Sequence, residues 1–176
     1  PANANSNQRF LTLEGFRRAG FRVLGMINEP SAAGIEYAQR YCPKIVHPRQ
    51  EYLVVYDLGG GTFDTSIVSM KEHAHEVLTN EGISQLGGDD FDELLMELAL
   101  SRAGIETVTP MQRFLLLEIC REQKEGLHPN TRRIAIDLGT AIEGAEEVIV
   151  PVTDFYQRCQ TLVQRTVAAV DSAVSH

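Results

Sequence analysis

The chain has 176 residues, of which 43% are hydrophobic and 23% charged, proportions that fit a folded globular protein and exclude a disordered one. Its net charge of −8 and the lack of any basic stripe argue against nucleic acid as a partner. No apolar run approaches the roughly 18 residues that span a bilayer, and the opening PANANSNQR has none of the charged-then-apolar order of a signal peptide, so a soluble, cytoplasmic chain without membrane contact is expected.

Asn5 to Ala19 has the helical spacing of Phe10, Leu13 and Phe16, with Gly20 as the expected C-terminal cap. FRVLGMI (21–27) reads as a short buried strand. Asn28 is placed as an N-cap and Pro30 sits in the first turn, where its missing N–H does no harm, so Glu29 to Tyr41 is expected to be a helix that ends before Pro43. YLVVYDL (52–58) is a near-continuous apolar run, the mark of a strand buried on both faces, and FDTSIVSM alternates as its antiparallel partner would. A third strand is expected around His75 to Asn80, completing a meander with a glycine turn at one end.

From Gly87 the character changes. GGDDFDELLMELALSRAG predicts an amphipathic helix to about Ala103, with acids in the first turn facing the positive end of the helix dipole and Gly104 closing it. Thr109, Pro110 and Gln112 have the capping-box order, which predicts a helix to about Glu125. TRRIAIDLG and EEVIVPV predict two strands around an IEGAE turn, and Thr153 to about Val174 a long closing helix.

Cys42, Cys120 and Cys159 are odd in number and contain no CxxC pair, so they are read as small buried apolar residues rather than a disulfide framework or a zinc site. His73 and His75 share one face of the expected strand, but no third ligand accompanies them. Pro1 stands where an initiator methionine would, which suggests a chain cut from something longer.

The chemistry is concentrated in VYDLGGGTFD (55–64). A triphosphate lying against backbone needs several N–H groups aimed one way, and consecutive glycines permit both the close approach and the positive φ angles of such a nest. Gly59, Gly60 and Gly61 fit that task. Asp57, at the strand end, is placed to face the hydration shell of a magnesium ion, which keeps its waters and takes few protein ligands. Thr62 supplies a hydroxyl at the phosphate, and Asp64 can orient it or a water. The plainer reading is a hairpin whose glycines only make the turn. Two further junctions favour the phosphate loop: Glu29 opens a helix after RVLGMI, and GGDDFD opens another at 87.

INEPSAAGIEYA (27–38), VYDLGGGTFDTSIV (55–68) and QLGGDDFDELL (85–95) closely resemble, in order and spacing, three motifs of the heat shock protein 70 family, the DnaK-type molecular chaperones. PANANSNQR resembles the family's opening VPA-x-F-x-x-x-QR segment without its leading valine. The resemblance runs along essentially the whole chain and is strongest from 1 to 95. It implies an α/β fold, one actin-like (ribonuclease H-like) ATPase lobe with a smaller α+β upper subdomain. It divides the chain into 1–46 from the end of a first lobe, 47–86 and 160–176 from the lower part of a second lobe, and 87–159 as the upper part. The implied ligands are ATP or ADP and Mg2+. In the parent protein the implied partners are unfolded polypeptides, a J-domain co-chaperone and a nucleotide-exchange factor.

Carried over by position, the resemblance gives Gly59, Gly60, Gly61 and Thr62 to a phosphate loop and Asp57 and Glu29 to the magnesium's waters. Asp64 falls beside the terminal phosphate, Gly88 near the sugar, and Lys124 on a helix that clamps adenosine. The chain departs from the family in that helix, where CREQKE puts Arg121 at an acidic position and Glu125 at a basic one; Arg121 and Glu125 also read as a surface i,i+4 pair. No first phosphate loop, first-lobe lysine or later adenosine motif is recognisable. IAIDLGT (134–140) imitates the first phosphate loop but falls where a strand of the upper subdomain is expected. An internal fragment of a chaperone ATPase domain follows, holding one jaw of a nucleotide clamp. The alternatives are a sugar kinase or exopolyphosphatase of the same superfamily, and a non-catalytic module that binds an exchange factor.

Overall fold

The computed structural model describes residues 4–41, 51–71 and 74–175. Cys42, the expected 46/47 boundary and His73 lie outside the described residues, as does the side chain of His75. The described chain forms two compact units, one of Pro1–Gln85 with Thr166–His176 and one of Leu86–Arg165.

The first unit contains helices α1 (Ser6–Arg18) and α2 (Glu29–Tyr41) and strands β1 (Glu51–Leu58), β2 (Phe63–Lys71) and β3 (Ala74–Ile83). Asn5 caps α1 in a reciprocal box with Gln8, its Oδ1 accepting the Gln8 N–H at 3.0 Å while Gln8 Oε1 accepts the Asn5 N–H at 2.9 Å. The box thus satisfies the N–H groups of Asn5 and Gln8 at the helix start. The chain leaves α1 through Ala19 and a left-handed Gly20 at φ 87°. At the start of α2, the Asn28 carbonyl accepts the Ala32 N–H at 3.0 Å. Its side-chain oxygen is taken by Arg9 Nη1 at 2.7 Å. The three strands form an antiparallel sheet in the order β1-β2-β3, with a register shift at Ile67/Val68. Helix α2 packs on this sheet, and a Cβ at Gly34 would lie 3.5 Å from Val68 Cγ1, so the missing side chain lets helix and strand close up.

Two expectations fail in this unit. FRVLGMI forms no strand, and Phe21, Leu24 and Ile27 remain 62%, 88% and 56% exposed. A strand needs a neighbour for its N–H and C=O groups, and none lies beside this segment among the described residues. β1 is not buried on both faces either: it is the sheet edge, and Tyr52, Val54, Tyr56 and Leu58 are exposed. The central strand β2 takes that role instead, with residues 63–70 all buried. An apolar run thus marked the strand correctly but not its rank in the sheet.

The second unit contains α3 (Gly88–Ala103), α4 (Pro110–Glu125), β4 (Arg133–Asp137), β5 (Glu147–Pro151) and the first part of α5 (Val152–Val174), whose remainder belongs to the first unit. Here the sequence expectations hold closely. Gly104 closes α3 at φ 68°, and Thr109 caps α4 with Gln112 in the expected box. β4 and β5 pair antiparallel, Ile134 opposite Val150 and Ile136 opposite Val148. Leu95, Leu116, Ile134, Ile136, Val150 and Phe155 build one buried core, each contributing about 1.5–3 kcal/mol by removal from water. Cys120 and Cys159 belong to that core as free thiols, as expected of small apolar residues. Burial pushes the Cys120 thiol up to about 12, helped by Asp92 and Glu93, and the Cys159 thiol up to about 11, against the pull of Lys124.

Candidate functional site

β1 and β2 run in register to the end of the hairpin, with Asp57 opposite Asp64 and Leu58 opposite Phe63. Beyond them the Gly59 N–H donates to the Thr62 carbonyl at 2.9 Å, which leaves Gly60 and Gly61 as the tip. Asp57, Thr62, Asp64 and the three glycines therefore stand together at one end of one hairpin. Phe63, fully buried, packs against Tyr56 with ring centroids 4.6 Å apart and planes tilted by 60°. The Tyr56 hydroxyl donates to Thr166 Oγ1 at 2.7 Å, so both strands are anchored just behind the two aspartates.

The glycines serve clearance rather than handedness. Gly59 and Gly61 both lie outside the left-handed region, contrary to the expectation of positive φ. A Cβ at Gly59 would sit 3.3 Å from the Thr62 carbonyl, so the turn's own tightness selects glycine there. At Gly61 a Cβ would meet nothing within 4 Å. The backbone at Gly61 thus faces open space that a side chain would fill. Asp57 is half-buried and Asp64 is 4% exposed. The two carboxylates thus sit directly across the antiparallel pair, at one end of the hairpin.

Glu29 is the first residue of α2, the helix that packs on the same sheet, with Pro30 buried beside it. Among the described residues no group of three or more His, Cys, Asp or Glu side chains is placed to hold a metal directly. Two or three separate carboxylates are the donor set through which magnesium is held by way of its waters.

In the second unit, Gly88 and Lys124 are brought together by a direct bond: Lys124 Nζ, on the last turn of α4, donates to the Gly88 carbonyl at 2.8 Å. The same ammonium lies 2.7 Å from Asp92 Oδ1, and Asp92 is only 1% exposed. Arg121 reaches into the same group, with Nη2 2.9 Å from Asp89 Oδ1, Nε 3.4 Å from Asp92 Oδ2 and Nη1 3.2 Å from Glu118. Glu118 first, and then the hydrogen bond to Asp92, hold its guanidinium above its ordinary range. The expected Arg121–Glu125 pair does not form, because the acidic first turn of α3 offers Arg121 closer carboxylates. Asp92 escaped the sequence reading. Its only signal was its place in GGDDFD, one helical turn after Asp89 and hence on the same face.

IAIDLGT is built quite differently from the hairpin tip it imitates. Asp137 Oδ1 accepts the Gly139 N–H at 3.0 Å and Oδ2 accepts Thr140 Oγ1 at 2.7 Å, so the aspartate is spent on its own turn. A Cβ at Gly139 would lie 2.9 Å from the Ala145 carbonyl. No space for a phosphate remains at that glycine, in contrast to Gly61.

The fold and these residues define a mixed α/β protein with two small antiparallel sheets and a glycine-tipped hairpin flanked by aspartates. The family model described as Hsp70 protein matches residues 1–176. The chain is 36% identical over 176 residues to the chaperone protein HscA homolog of Herminiimonas arsenicoxydans, covering 99% of this chain and 27% of that protein. It is 35% identical over 175 residues to the homolog of Methylobacillus flagellatus, again covering 99% and 27%. With the homolog of Burkholderia mallei it shares 38% over 177 aligned positions, at the same coverage of 99% and 27%. The chain belongs to the Hsp70 family, and it spans about a quarter of the length of the curated relatives it matches.

Proposed function

We propose that the chain is part of the ATP-binding and ATP-hydrolysing domain of an Hsp70-type chaperone, a cytoplasmic protein that couples ATP turnover to binding and release of unfolded polypeptides. The observation that carries this reading is the hairpin end, where Asp57 faces Asp64 across a glycine tip with open space over Gly61. In this reading the fold is an actin-like, ribonuclease H-like lobe, with 47–86 and 160–176 its lower part, 87–159 its α+β upper part and 1–46 the end of a first lobe. The division of the chain after Gln85 supports the boundary at 86/87, while the second division falls after Arg165, beyond the expected 159/160.

The backbone of Gly59, Gly60 and Gly61 with the Thr62 hydroxyl receives the phosphates. Asp57 and Glu29 would hold a magnesium ion through its waters, and Asp64 would orient the Thr62 hydroxyl or a water at the terminal phosphate. Gly88 and Lys124 meet the nucleoside. Magnesium, when bound, would neutralise the negative charge that is spread over the phosphate oxygens during transfer. The protein's own share is orientation and electrostatics. The chain contains no counterpart of the family's first phosphate loop, first-lobe lysine or later adenosine motif, so by itself it binds nucleotide weakly and turns it over negligibly. A J-domain co-chaperone and a nucleotide-exchange factor are partners of the parent protein in this reading. The family match leaves no need for the sugar kinase or exopolyphosphatase alternative.

Calorimetric titration of the chain with Mg-ATP, with phosphate release measured on the same sample, tests the proposal. Weak binding without turnover is the expected result. No detectable binding even at millimolar nucleotide overturns the assignment of the hairpin, and tight binding with steady hydrolysis overturns the half-clamp.

A further inference from the structure

The ion pair between α3 and α4 has a consequence for what the second unit can bind. An ammonium has three N–H donors. One N–H of Lys124 donates to the Gly88 carbonyl at 2.8 Å, and the ammonium is ion-paired with the buried Asp92 carboxylate 2.7 Å away. The positive charge is thus already balanced from within the protein. A lysine in that state is poorly suited to neutralise phosphate, for which an unpaired ammonium is the effective form. It is well suited to give one directed hydrogen bond to a neutral acceptor such as a sugar hydroxyl. The surroundings point the same way. The first turn of α3, an anion site in other proteins, here carries Asp89 and Asp90, and Asp90 Oδ2 accepts the Gly87 N–H at 2.7 Å. Arg121, the other cation within reach, is held by Asp89 and Asp92.

We propose that Asp92 is a positioning residue: by holding Lys124 against the Gly88 carbonyl it makes this subsite selective for the uncharged nucleoside part of the ligand and unreceptive to its phosphates. The inference rests on the nucleotide reading given above, which gives Gly88 and Lys124 to the nucleoside. Asp92 touches no ligand in this account and acts only through Lys124. Its burial is what gives it that role, because a carboxylate 1% exposed cannot exchange its partner for water at low cost.

The test uses the whole chain and its Asp92→Asn form, titrated by NMR up to millimolar concentrations with adenosine, ADP and inorganic pyrophosphate as separate probes. Asn keeps the shape and removes the charge that balances Lys124. Adenosine affinity is expected to fall about tenfold, as when one charge-assisted hydrogen bond is misaligned, while pyrophosphate affinity holds or rises as the ammonium charge is released. A merely structural role for Asp92 lowers all three affinities together with the melting temperature. Lys124→Met is expected to lose the same factor for adenosine, and the double substitution to lose no more than either alone. Should Asn at 92 unfold the chain, the adenosine-to-pyrophosphate ratio of Lys124→Met decides by itself: adenosine loss alone supports the proposal and pyrophosphate loss overturns it. If the unaltered chain binds neither adenosine nor ADP, the nucleotide reading fails and this one with it. If it binds both and Asp92→Asn changes neither, only the present inference is overturned.

Discussion

Three glycines in this chain hold their positions for three different reasons, and substitution separates them. Gly61 lies outside the left-handed region and has no neighbour within 4 Å of its absent Cβ. Gly61→Ala is therefore expected to leave stability unchanged or to raise it by about 0.4–1 kcal/mol through the unfolded state. The same change is expected to weaken Mg-ATP binding at least tenfold, because the methyl group enters the space assigned to the phosphates. Parallel denaturation and calorimetry check both halves. Gly104, at φ 68°, closes α3 in the left-handed region, so Gly104→Ala is expected to cost about 1–2 kcal/mol in urea unfolding without touching nucleotide affinity. Gly139 is packed by the Ala145 carbonyl at 2.9 Å, so alanine there must push backbone aside. The sequence showed Gly59, Gly60 and Gly61 as a loop but not these distinctions. Spacing alone cannot tell a glycine that leaves room for a ligand from one that leaves room for the protein itself, which is why DLGGGT and IDLGT look alike in one dimension.

Among the elements, legibility followed local chemistry. The starts and stops of α3 and α4 were readable because caps, boxes and closing glycines act within a few residues. The fate of FRVLGMI and the edge position of β1 were not, since both depend on which neighbours a strand finds and not on its own composition. The Asp92–Lys124 link was likewise hidden, joining positions on two helices that only tertiary packing makes adjacent. The helix-borne core of the second unit carries a pH signature of its own. Cys120 has a thiol raised from 9.0 to about 12, so the folded state keeps its proton after the unfolded chain has begun to lose it. That stabilisation is complete below pH 9 and is lost as pH climbs from 9 toward 12. Urea unfolding of the intact chain is expected to weaken between pH 8 and 10 by about 1 kcal/mol more than unfolding of Cys120→Ala. The thiols of Cys120 and Cys159 are also expected to resist alkylation at pH 8 in the folded chain and to react once it is unfolded.

At the scale of the whole molecule, apolar exposure is concentrated in the first unit. Phe10, Leu11, Phe16, Phe21 and Leu24 are all more than half exposed, at 59%, 67%, 53%, 62% and 88%. Apolar surface of that extent favours association. The chain is expected to self-associate with rising concentration in sedimentation velocity, and Phe21→Lys with Leu24→Lys is expected to return it toward the monomer. Hydrogen exchange should show this directly, with fast exchange through residues 21–27 and the strongest protection in the buried central strand β2.

The first unit is also discontinuous in sequence. Its final piece begins at Thr166, where the Tyr56 hydroxyl is received, and the same piece takes a hydrogen bond from Thr79 Oγ1 at Ala173 O, 3.3 Å away. On a ribosome, which delivers the chain from its N-terminus, β1, β2 and β3 emerge long before the residues that complete their surroundings. Residues 86–165, being continuous, are under no such delay. The unit that begins first is thus the one that finishes last: a nascent chain halted with Arg165 clear of the exit tunnel and Thr166–His176 still inside it should hold a protease-resistant later unit and an earlier one still open to cleavage. Release of Thr166–His176 from the exit tunnel should then close it.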